Sequence, residues 1–520
     1  MKTKFLFIII ASLLTINMFG QAIPTIDWKK CFGGSGNERF HDIEQTADGG
    51  YIATGSLEPE YFDSIPYTST QVWVVKIDVN SNIEWERTFG GFSYEGGNAI
   101  TPTSDGGYIV AGFTFSNDGD VTGFHGVVDY WILKLDFNGN LVWEKTLGGS
   151  DGEVAFDIIE TTDGNFVVAG KTSSTDGDVT GFHIPYYAGD DYWIVKLNVN
   201  GDIIWQKCFG GYAYDIPGSI IETNDGNYVI AGYTNSVDGD VTVQHGSYDA
   251  WIIKIQPDGD LIWQKSYGIG PEDYAFSILE DENNDLVFAG HSRSNYTGFH
   301  GGFDYWMVKL NKNGKLKWSR VFGGSKQDHG TELAILNDGT YVMGGWSHSL
   351  DGDVSGSHKH VDYWITGVDA FGNLLWTDAL GGKEADYMYC IAPTNDNGFI
   401  ISGSAYSTNG DITDNFTNTG EAWTVKMNYS GVEYKEGPNT SKDNVSLYPN
   451  PFTKVLNITC NQTVTYPIYI RICNITGQVI QEEIIYSDVV QINTENLIPG
   501  IYFVEIQNGS EKIVERRVKE

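Results

Sequence analysis

The chain alternates apolar and polar positions in short runs, and the same series of runs returns at intervals of 55 to 62 residues. In the period that begins at residue 156, FDIIETT and NFVVAGKTS flank an Asp163-Gly164 turn. A long polar loop follows, then DYWIVKLNV, a turn at Asn200-Gly201-Asp202, and IIWQKCFGG. Period-two alternation is typical of strands, and Asx-Gly pairs are typical of hairpin turns. Each period therefore predicts four antiparallel strands.

Tryptophan marks the repeat. One series is Trp28, Trp85, Trp143, Trp205, Trp263, Trp318 and Trp376, and the other is Trp73, Trp131, Trp193, Trp251, Trp306, Trp364 and Trp423. Each of the first six members of the second series lies 12 residues before a member of the first. A three-residue turn with Gly139 in the left-handed conformation would place Trp131 and Trp143 on one face of their sheet.

Seven four-stranded units predict an all-β fold, a seven-bladed β-propeller over residues 22–429, because a lone sheet leaves both apolar faces wet and stacking around an axis buries them. A linear solenoid or a row of hairpins is the alternative. The chain opens with a fourth-strand copy, so we expect residues 26–34 to complete the last blade beside the Trp423 strand. The segment GVEYKEG, from Gly431, competes for that edge.

The two ends of the chain have other patterns. Residues 1–21 combine Lys2 and Lys4 with a short apolar run and predict a secretory signal peptide. No later segment is long enough to span a bilayer, so no transmembrane segment is expected. Residues 430–445 are a predicted linker, and residues 446–520 alternate as a small β-sandwich.

Charge limits the partners. Lys+Arg 32 against Asp+Glu 68 give a net charge of −36, and six basic and eight acidic residues leave only −2 on residues 446–520. The acidity therefore lies on the propeller. Phosphates and anionic membranes would be repelled, so nucleic acid is not an expected partner. Cations, neutral glycans and basic proteins remain.

The long loops carry a repeated set of acids and histidines. Four repeats have two Asp around a Gly and a His seven residues after the first Asp: Asp118, Asp120, His125; Asp176, Asp178, His183; Asp238, Asp240, His245; and Asp351, Asp353, His358. A later Asp precedes the third strand at Asp129, Asp191, Asp249 and Asp362. These are the candidate binding residues.

Two interpretations of the loops stay open. Two carboxylates at a tight turn suit a Ca²⁺ site, although imidazole is a poor ligand and the closing Glu of a twelve-residue calcium loop is missing. Alternatively the Asp side chains accept loop amides and the His bonds a carboxylate of its own loop. No other cofactor is expected, and the metal ligands stay unknown.

Features that break the repeat are few. They are Glu58, Glu60, Tyr61, Phe62, Asp63 and Tyr67 in repeat one, Tyr186, Tyr187 and Asp190 in repeat three, and Trp346 with His348 in repeat six. Exposed aromatics stack on sugar rings, and paired carboxylates serve glycoside chemistry. No motif for a nucleophilic serine, a zinc protease or a phosphate-binding loop is present, so no catalytic residue is assigned.

The repeat, with its DGDVTG and DYWIxKL segments, resembles bacterial secreted β-propeller repeat proteins. LYPNPF, NITGQVI and LIPGIYFVEI resemble the C-terminal sorting domain, type A, of the type IX secretion system of Bacteroidota. The resemblance implies export by that machinery and removal of the domain with attachment to the cell surface or release. The motif residues are Tyr448, Pro449, Asn450, Pro451, Gly477, Gly500, Tyr502 and Lys519.

Together these observations predict a secreted or cell-surface propeller, expected to be a monomer, that acts as a non-catalytic binding or adhesion module for a glycan or a protein. The alternatives are an extracellular enzyme acting on polysaccharide and a structural surface component. An enzyme should have one deep funnel with two carboxylates in reach, whereas a binder should have shallow loops.

Overall fold

The computed structural model describes residues 23–34, 36–58, 69–183, 189–293, 298–415, 419–429, 445–448, 453–460, 468–474, 479–485, 489–508 and 511–519. The chain divides into two compact units, Ile23–Gly431 and a second that includes Val432–Glu520. The predicted signal peptide, and all of the predicted linker except residue 445, lie outside the described residues.

The first unit consists of seven antiparallel sheets of four strands, which confirms the propeller prediction. Blades 1 to 3 contain β2 (Arg39–Gln45), β3 (Tyr51–Leu57), β4 (Gln71–Ile77) and β5 (Ile83–Phe89); β6 (Glu95–Pro102), β7 (Tyr108–Thr114), β8 (Asp129–Leu135) and β9 (Leu141–Leu147); and β10 (Glu153–Glu160), β11 (Phe166–Thr172), β12 (Asp191–Leu197) and β13 (Ile203–Phe209).

Blades 4 to 7 repeat this order. They contain β14 (Asp215–Glu222), β15 (Tyr228–Thr234), β16 (Asp249–Ile255) and β17 (Leu261–Tyr267); β18 (Asp273–Glu280), β19 (Leu286–Ser292), β20 (Asp304–Leu310) and β21 (Leu316–Phe322); β22 (Asp328–Ile335), β23 (Tyr341–Ser347), β24 (Asp362–Val368) and β25 (Leu374–Leu380); and β26 (Asp386–Pro393), β27 (Phe399–Ala405) and β28 (Glu421–Asn428), completed by β1 (Thr25–Phe32).

The N-terminal strand closes the ring, as predicted. β1 pairs antiparallel with β28, with Cys31 opposite Trp423 and Phe32 opposite Ala422. The Cys31 backbone N–H also donates to Asp414 Oδ2 at 2.9 Å. The competing segment from Gly431 lies outside the described residues. The last blade is thus completed by a strand from the beginning of the unit, and this strand joins the last blade to the first.

The first strand of every blade is innermost, and each contacts the first strand of the next blade, including β26 with β2. Side chains bond backbone groups across these contacts: Asn98 Nδ2 donates to Ala155 O at 2.7 Å, and the Ile100 N–H donates to Asp42 Oδ2 at 2.7 Å. A ring of this kind excludes the linear solenoid and the row of hairpins.

The two tryptophan series lie on opposite faces of each sheet, so the single-face prediction is wrong. Gly139 is left-handed with φ +76°, as predicted, but Trp131 opposes Thr146 while Trp143 opposes Lys134. Leu135 pairs with Leu141, so the register passes over Val142 as a bulge. One extra residue in a strand turns the following side chains to the other face.

This parity supplies both sides of every blade with an indole. In six interfaces a third-strand Trp shares a buried cluster with the fourth-strand Trp of the preceding blade: Trp73 with Trp28, Trp131 with Trp85, Trp193 with Trp143, Trp251 with Trp205, Trp306 with Trp263, and Trp364 with Trp318. The Trp73–Trp28 pair lies at the closure between the last and first blades.

Buried tyrosines add a directional bond between blades. Tyr192 of β12 donates its hydroxyl hydrogen to the Trp251 carbonyl of the next blade at 3.0 Å, and Tyr130 donates to Trp193 O at 2.9 Å. The hydroxyl needs a glycine beside it, since a Cβ at Gly170 would lie 2.3 Å from the Tyr130 oxygen. The glycine in the second strand is therefore required because the tyrosine hydroxyl lies too close to leave room for a side chain.

The second unit has two sheets, β29–β30–β33 and β32–β31–β34–β35, around one apolar cluster, consistent with the predicted β-sandwich. Its strands are β29 (Val445–Tyr448), β30 (Val455–Cys460), β31 (Ile468–Cys473), β32 (Val479–Ile485), β33 (Val489–Asn493), β34 (Gly500–Asn508) and β35 (Glu511–Lys519). Within the described ranges, no helix has the length and apolarity needed to cross a membrane.

Removing β1 should open the ring. A chain that begins at residue 34 instead of residue 22 leaves β28 as an unpaired edge and exposes the Trp73–Trp28 cluster, so we expect a lower melting temperature and aggregation. Circular dichroism melts measure this. The matched control lacks residues 446–520, which belong to the other unit, and should keep the propeller transition. An unchanged melt without β1 would contradict the closure.

Candidate binding face

One face of the propeller carries all the long connections. Because strands alternate in direction, the loops between second and third strands and the connectors from fourth to first strands emerge on the same side, which we call the loop face. The short Asx-Gly turns lie on the opposite side, the turn face. All twelve candidate Asp and His residues therefore belong to the loop face.

The paired Asp residues hold the connectors between blades. In blade 4, Asp238 Oδ1 accepts the Tyr212 N–H at 2.8 Å, and Asp240 Oδ2 accepts the Gly210 N–H at 3.2 Å. The Asp240 N–H donates in turn to Gly210 O at 2.7 Å. The same bonds recur for Asp118 with Asp120, Asp176 with Asp178, and Asp351 with Asp353.

The histidines contact the Asp that begins the third strand of their own blade. Nδ1 of His125 lies 2.9 Å from Asp129 Oδ2, and the equivalent distances are 2.8 Å for His183 with Asp191 and 3.0 Å for His245 with Asp249. His358 donates only its backbone N–H to Asp362 Oδ2, at 2.6 Å. In each of these loops, the paired Asp residues therefore bind the connector between blades, whereas the His binds the start of the third strand.

Two of the histidines also reach the next blade. His183 Nε2 lies 4.0 Å from Asp240 Oδ2, and His358 Nε2 lies 3.8 Å from Asp411 Oδ2. The hydrogen bond to Asp191 raises the pKa of His183 against the opposing effect of burial. The His contacts the carboxylate at the end of its own loop, whereas the paired Asp accept amides of the connector and not of their own loop. In the portion that the structure describes, no three His, Cys, Asp or Glu side chains are grouped as a metal site. Calcium binding stays a prediction.

Pairs of buried carboxylates lie at the blade interfaces, and the sequence did not reveal them. The Asp that begins a third strand is buried, and its Oδ1 has no hydrogen-bond partner at Asp129, Asp191, Asp249, Asp304 and Asp362. The first-strand acid of the next blade lies beside it. A Cβ at Gly323 would lie 2.5 Å from Asp304 Oδ1 and 2.8 Å from Asp328 Oδ2, so both acids close on one glycine.

Burial raises the pKa of these acids, and their mutual charge adds to the rise. The pKa of Asp304 rises to about 7 through burial and the charges of Asp328 and Asp353. The pKa of Asp215 rises to about 6 through burial and the charge of Asp191. Each of these acids therefore keeps its proton to a higher pH than an exposed aspartate does, and the protonated form can donate a hydrogen bond to the other acid of the pair.

Another group of acids lines the ring of first strands. Asp42, Asp157 and Glu332 occupy one position of three blades, and each accepts a backbone N–H of the next blade at 2.7 to 2.8 Å. Burial raises the pKa of Asp42 to about 7, and burial with the charges of Asp42 and Asp157 raises that of Glu44 to about 8. These carboxylates are half-buried.

Aromatic rings form a continuous half-buried surface on the loop face of blades 5 to 7. We call it the aromatic arc: Tyr274, His291, Phe303, His329, Trp346 and Tyr387. Its successive centroid distances are 5.2, 4.9, 5.0, 4.0 and 5.5 Å, and the His329 and Trp346 rings stack at 19°. Tyr274 opposes His291 and His329 opposes Trp346 across neighbouring strands, which fixes each pair on one face.

The arc carries little charge. Burial lowers the pKa of His329 to about 4, and burial with the His329 charge lowers that of His291 well below its usual value. Arg293 lies over the Phe303 ring at 5.9 Å, but its Nη1 is 3.5 Å from Glu272 Oε2, which balances the charge. At neutral pH the two imidazoles of the arc are therefore uncharged.

An open cavity of about 580 Å³ adjoins the arc. Its walls are Glu384, Ala385, Tyr387 and Tyr406, so it shares Tyr387 with the arc. Trp346 also contacts His348, with centroids 5.5 Å apart. The predicted exception of repeat six, Trp346 with His348, thus belongs to this surface. The other arc residues occupy positions whose residue type varies from blade to blade. One such position near the end of the second strand holds Phe113, Lys171, Tyr233, His291 and Trp346 in blades 2 to 6. Only a comparison of equivalent positions between repeats would have found them.

The other repeat-breaking residues are only partly described. Glu58 accepts a hydrogen bond from Asn37 Nδ2 at 3.0 Å, and Asp190 pairs with Lys171 at 3.1 Å. The remaining residues of both insertions lie outside the described part of the chain: Glu60, Tyr61, Phe62, Asp63, Tyr67, Tyr186 and Tyr187.

The sorting-motif residues fall at strand ends. Tyr448 ends β29, and Gly500 at the start of β34 pairs in register with Lys519. The Tyr502 hydroxyl donates to Ile498 O at 2.9 Å, which secures the chain entering β34. The remaining motif residues, Pro449, Asn450, Pro451 and Gly477, lie outside the described residues.

The fold and this C-terminal unit define a propeller that carries an export module. Residues 446–520 match the family described as the secretion system C-terminal sorting domain. The match confirms the predicted type IX sorting domain. The protein is therefore secreted to the cell exterior through the type IX system.

Other similarities are distant. PorZ, a surface component of the type IX secretion system of Porphyromonas gingivalis, aligns with a TM-score of 0.39 at 11% identity, covering 94% of this chain and 60% of that one. The Pan2 WD40 domain of Neurospora crassa aligns at 0.45 and 9% identity over 82% and 98%. The regulatory protein FlaEY of Caulobacter vibrioides is 22% identical over 358 residues, 61% of this chain and 37% of that relative's length.

The connector bonds predict a stability effect. Asp238→Ala leaves the Tyr212 N–H without its acceptor, so the free energy of unfolding should fall by about 1 kcal/mol. Chemical denaturation measures it. The control is Asp151→Ala, an exposed acid on the same face, which should change stability by less than about 0.5 kcal/mol. Equal effects of the two substitutions would contradict the role of Asp238.

Thermal melts test the calcium interpretation. Since the paired Asp oxygens already accept amide hydrogens, we expect the same midpoint with millimolar Ca²⁺ and with chelator. A midpoint that rises with Ca²⁺ in the wild type, and no longer rises in Asp238→Ala, would instead establish calcium sites in these loops.

The interface acids predict the pH dependence of stability. Asp304 has a higher pKa in the folded protein than in the unfolded chain, so the folded state binds more protons. Its contribution to stability is complete below the unfolded value near 3.8 and is lost as pH rises through about 7. Asp304→Asn supplies an amide hydrogen in place of the proton and should raise the melting temperature at pH 8.

Asp163 on the turn face is the control with the opposite sign. Against the effect of burial, hydrogen bonds from Lys196 and Thr161 lower the pKa of Asp163, so its contribution exists above the unfolded value and is lost in acid. Asp163→Asn should therefore lower the melting temperature at pH 8. Destabilisation by both variants at that pH would show that the pKa of Asp304 is not raised in the folded protein.

Proposed function

We propose that the protein is a non-catalytic binding module, displayed outside the cell after type IX export, and that the aromatic arc is its ligand surface. The observation that carries the proposal is the break in symmetry. The repeated acids and histidines of the loops bond connectors and strands. The arc lies in three neighbouring blades, is extended by Tyr233 and Tyr248 of blade 4, and leaves its rings partly exposed.

The chemistry of the arc supports binding over reaction. Partly exposed aromatic groups offer large, rigid contact area at low entropic cost, with polar atoms at their edges. The adjoining cavity is open, and of its four lining residues Glu384 alone carries a carboxylate. A glycosidase needs two carboxylates at the bond it cleaves.

A second candidate function, an extracellular enzyme acting on polysaccharide, has one observation in its favour. Asp42 and Glu44 on the innermost strand of blade 1 are half-buried carboxyl groups whose pKa values are raised to about 7 and about 8. Raised values of this kind suit a general acid. Against it, Asp42 Oδ2 accepts the Ile100 N–H at 2.7 Å, which is a bond between blades.

Binding and turnover can be measured in one experiment. The full secreted chain is incubated with immobilised polysaccharides and proteins, and both retention and newly formed reducing or unsaturated ends are assayed. We expect retention without product, and equal retention for Asp42→Asn and Glu44→Gln. Product formation that disappears in either variant would establish the enzyme and overturn the proposal.

A further inference from the structure

We propose that the aromatic arc binds an extended neutral polysaccharide, with successive sugar units lying along the row of aromatic side chains. This inference rests on the proposed function and names its ligand class. It draws on three properties of the arc: continuity across blades, the absence of net charge, and polar groups at the ring edges.

Continuity favours a polymer over a single sugar. The arc crosses two blade boundaries, through the 5.0 Å step from Phe303 to His329 and the 5.5 Å step from Trp346 to Tyr387. A direct contact of His291 with His329 at 4.3 Å reinforces the first crossing. A monosaccharide would cover one ring or two, whereas a chain of sugars can use the whole row.

Charge selects a neutral ligand. The histidines of the arc are uncharged at neutral pH because burial lowers their pKa, and the nearest guanidinium, Arg293, is paired with Glu272. Other charged groups lie close to the surface. Lys326 and Asp328 act on His348, Arg39 acts on Tyr406 of the cavity wall, and Glu384 lines the cavity. The chain as a whole carries −36. Uronate and sulfate groups would therefore meet repulsion with no compensating cluster of cations.

The ring edges separate a sugar from a purely apolar protein segment. Every member of the arc except Phe303 carries an N–H, ring nitrogen or hydroxyl, and His329 Nε2 already lies 2.9 Å from Gln327 Oε1. Carbohydrates present C–H faces to aromatic rings and hydroxyl groups to such polar edges. A hydrophobic protein segment would offer no hydrogen-bond partner to the polar ring edges that face the ligand.

Affinity measurements with the full chain test the ligand class. The probes are a neutral glucan, a neutral mannan, a polyuronate and a sulfated polysaccharide, compared by affinity electrophoresis and calorimetry. We expect a neutral polymer to bind and its short oligosaccharides to bind more weakly. Binding should persist unchanged between pH 6 and pH 8, because the histidines of the arc do not titrate in that range.

Variants locate the surface. Trp346→Ala and Tyr387→Ala should each weaken binding about tenfold, and Trp346→Phe should restore part of the loss. Tyr212→Ala is the matched control, since Tyr212 is an aromatic residue of the loop face, 57% exposed and outside the arc. Melts of each variant confirm that the ring is intact. An equal loss in Tyr212→Ala would overturn the assignment to the arc.

The remaining outcomes separate this inference from the proposed function. Preferred binding of the polyuronate or the sulfated polymer overturns the neutral ligand. Retention of a protein partner that depends on Trp346, with no polysaccharide retained, overturns this inference and leaves the binding function standing. Failure to retain any polysaccharide or protein overturns both.

Discussion

The fold depends on the contact between neighbouring blades. Each sheet has two apolar faces, and the bulge after the third strand sends one tryptophan to each of them, as Trp131 and Trp143 show. A blade is therefore incomplete until a neighbour covers it on both sides. Hydroxyl bonds such as Tyr192 to Trp251 O set the register of that contact. An open row of such blades would leave one uncovered apolar face at each end. Closure through β1 brings these two faces together and buries them.

Much of this architecture is readable from the sequence because it repeats. Period-two alternation, Asx-Gly turns and two tryptophan series predict the strands, and the displaced first strand predicts the closure. The face of each tryptophan is not readable in this way. One bulged residue, Val142 in blade 2, changes no composition and leaves the 12-residue spacing intact, yet it reverses the side on which Trp143 packs.

The candidate site was harder to predict, for a physical reason. The D-G-D loops draw attention because they recur, but they recur because every blade must hold its connector, as Asp238 does through the Tyr212 amide. The aromatic arc joins residues far apart in the chain, and its members replace one another within single columns, as Trp346 replaces Lys171. Equivalent strand positions of different blades become neighbours only in the folded ring, so the linear sequence does not show that these aromatic residues meet.

That separation explains how one ring carries both a rigid frame and a particular surface. The frame uses buried positions: the tryptophans of every blade, the tyrosine hydroxyls of blades 2, 3, 5 and 6, and the interface acids. The variable columns face the loop side, where side chains contact solvent and the next blade's equivalent residue. Exchange of Lys171 for His291 or Trp346 there disturbs none of the bonds that close the ring. Individual blades can thus acquire aromatic rings at these positions while all seven keep the tryptophans that pack one blade against the next.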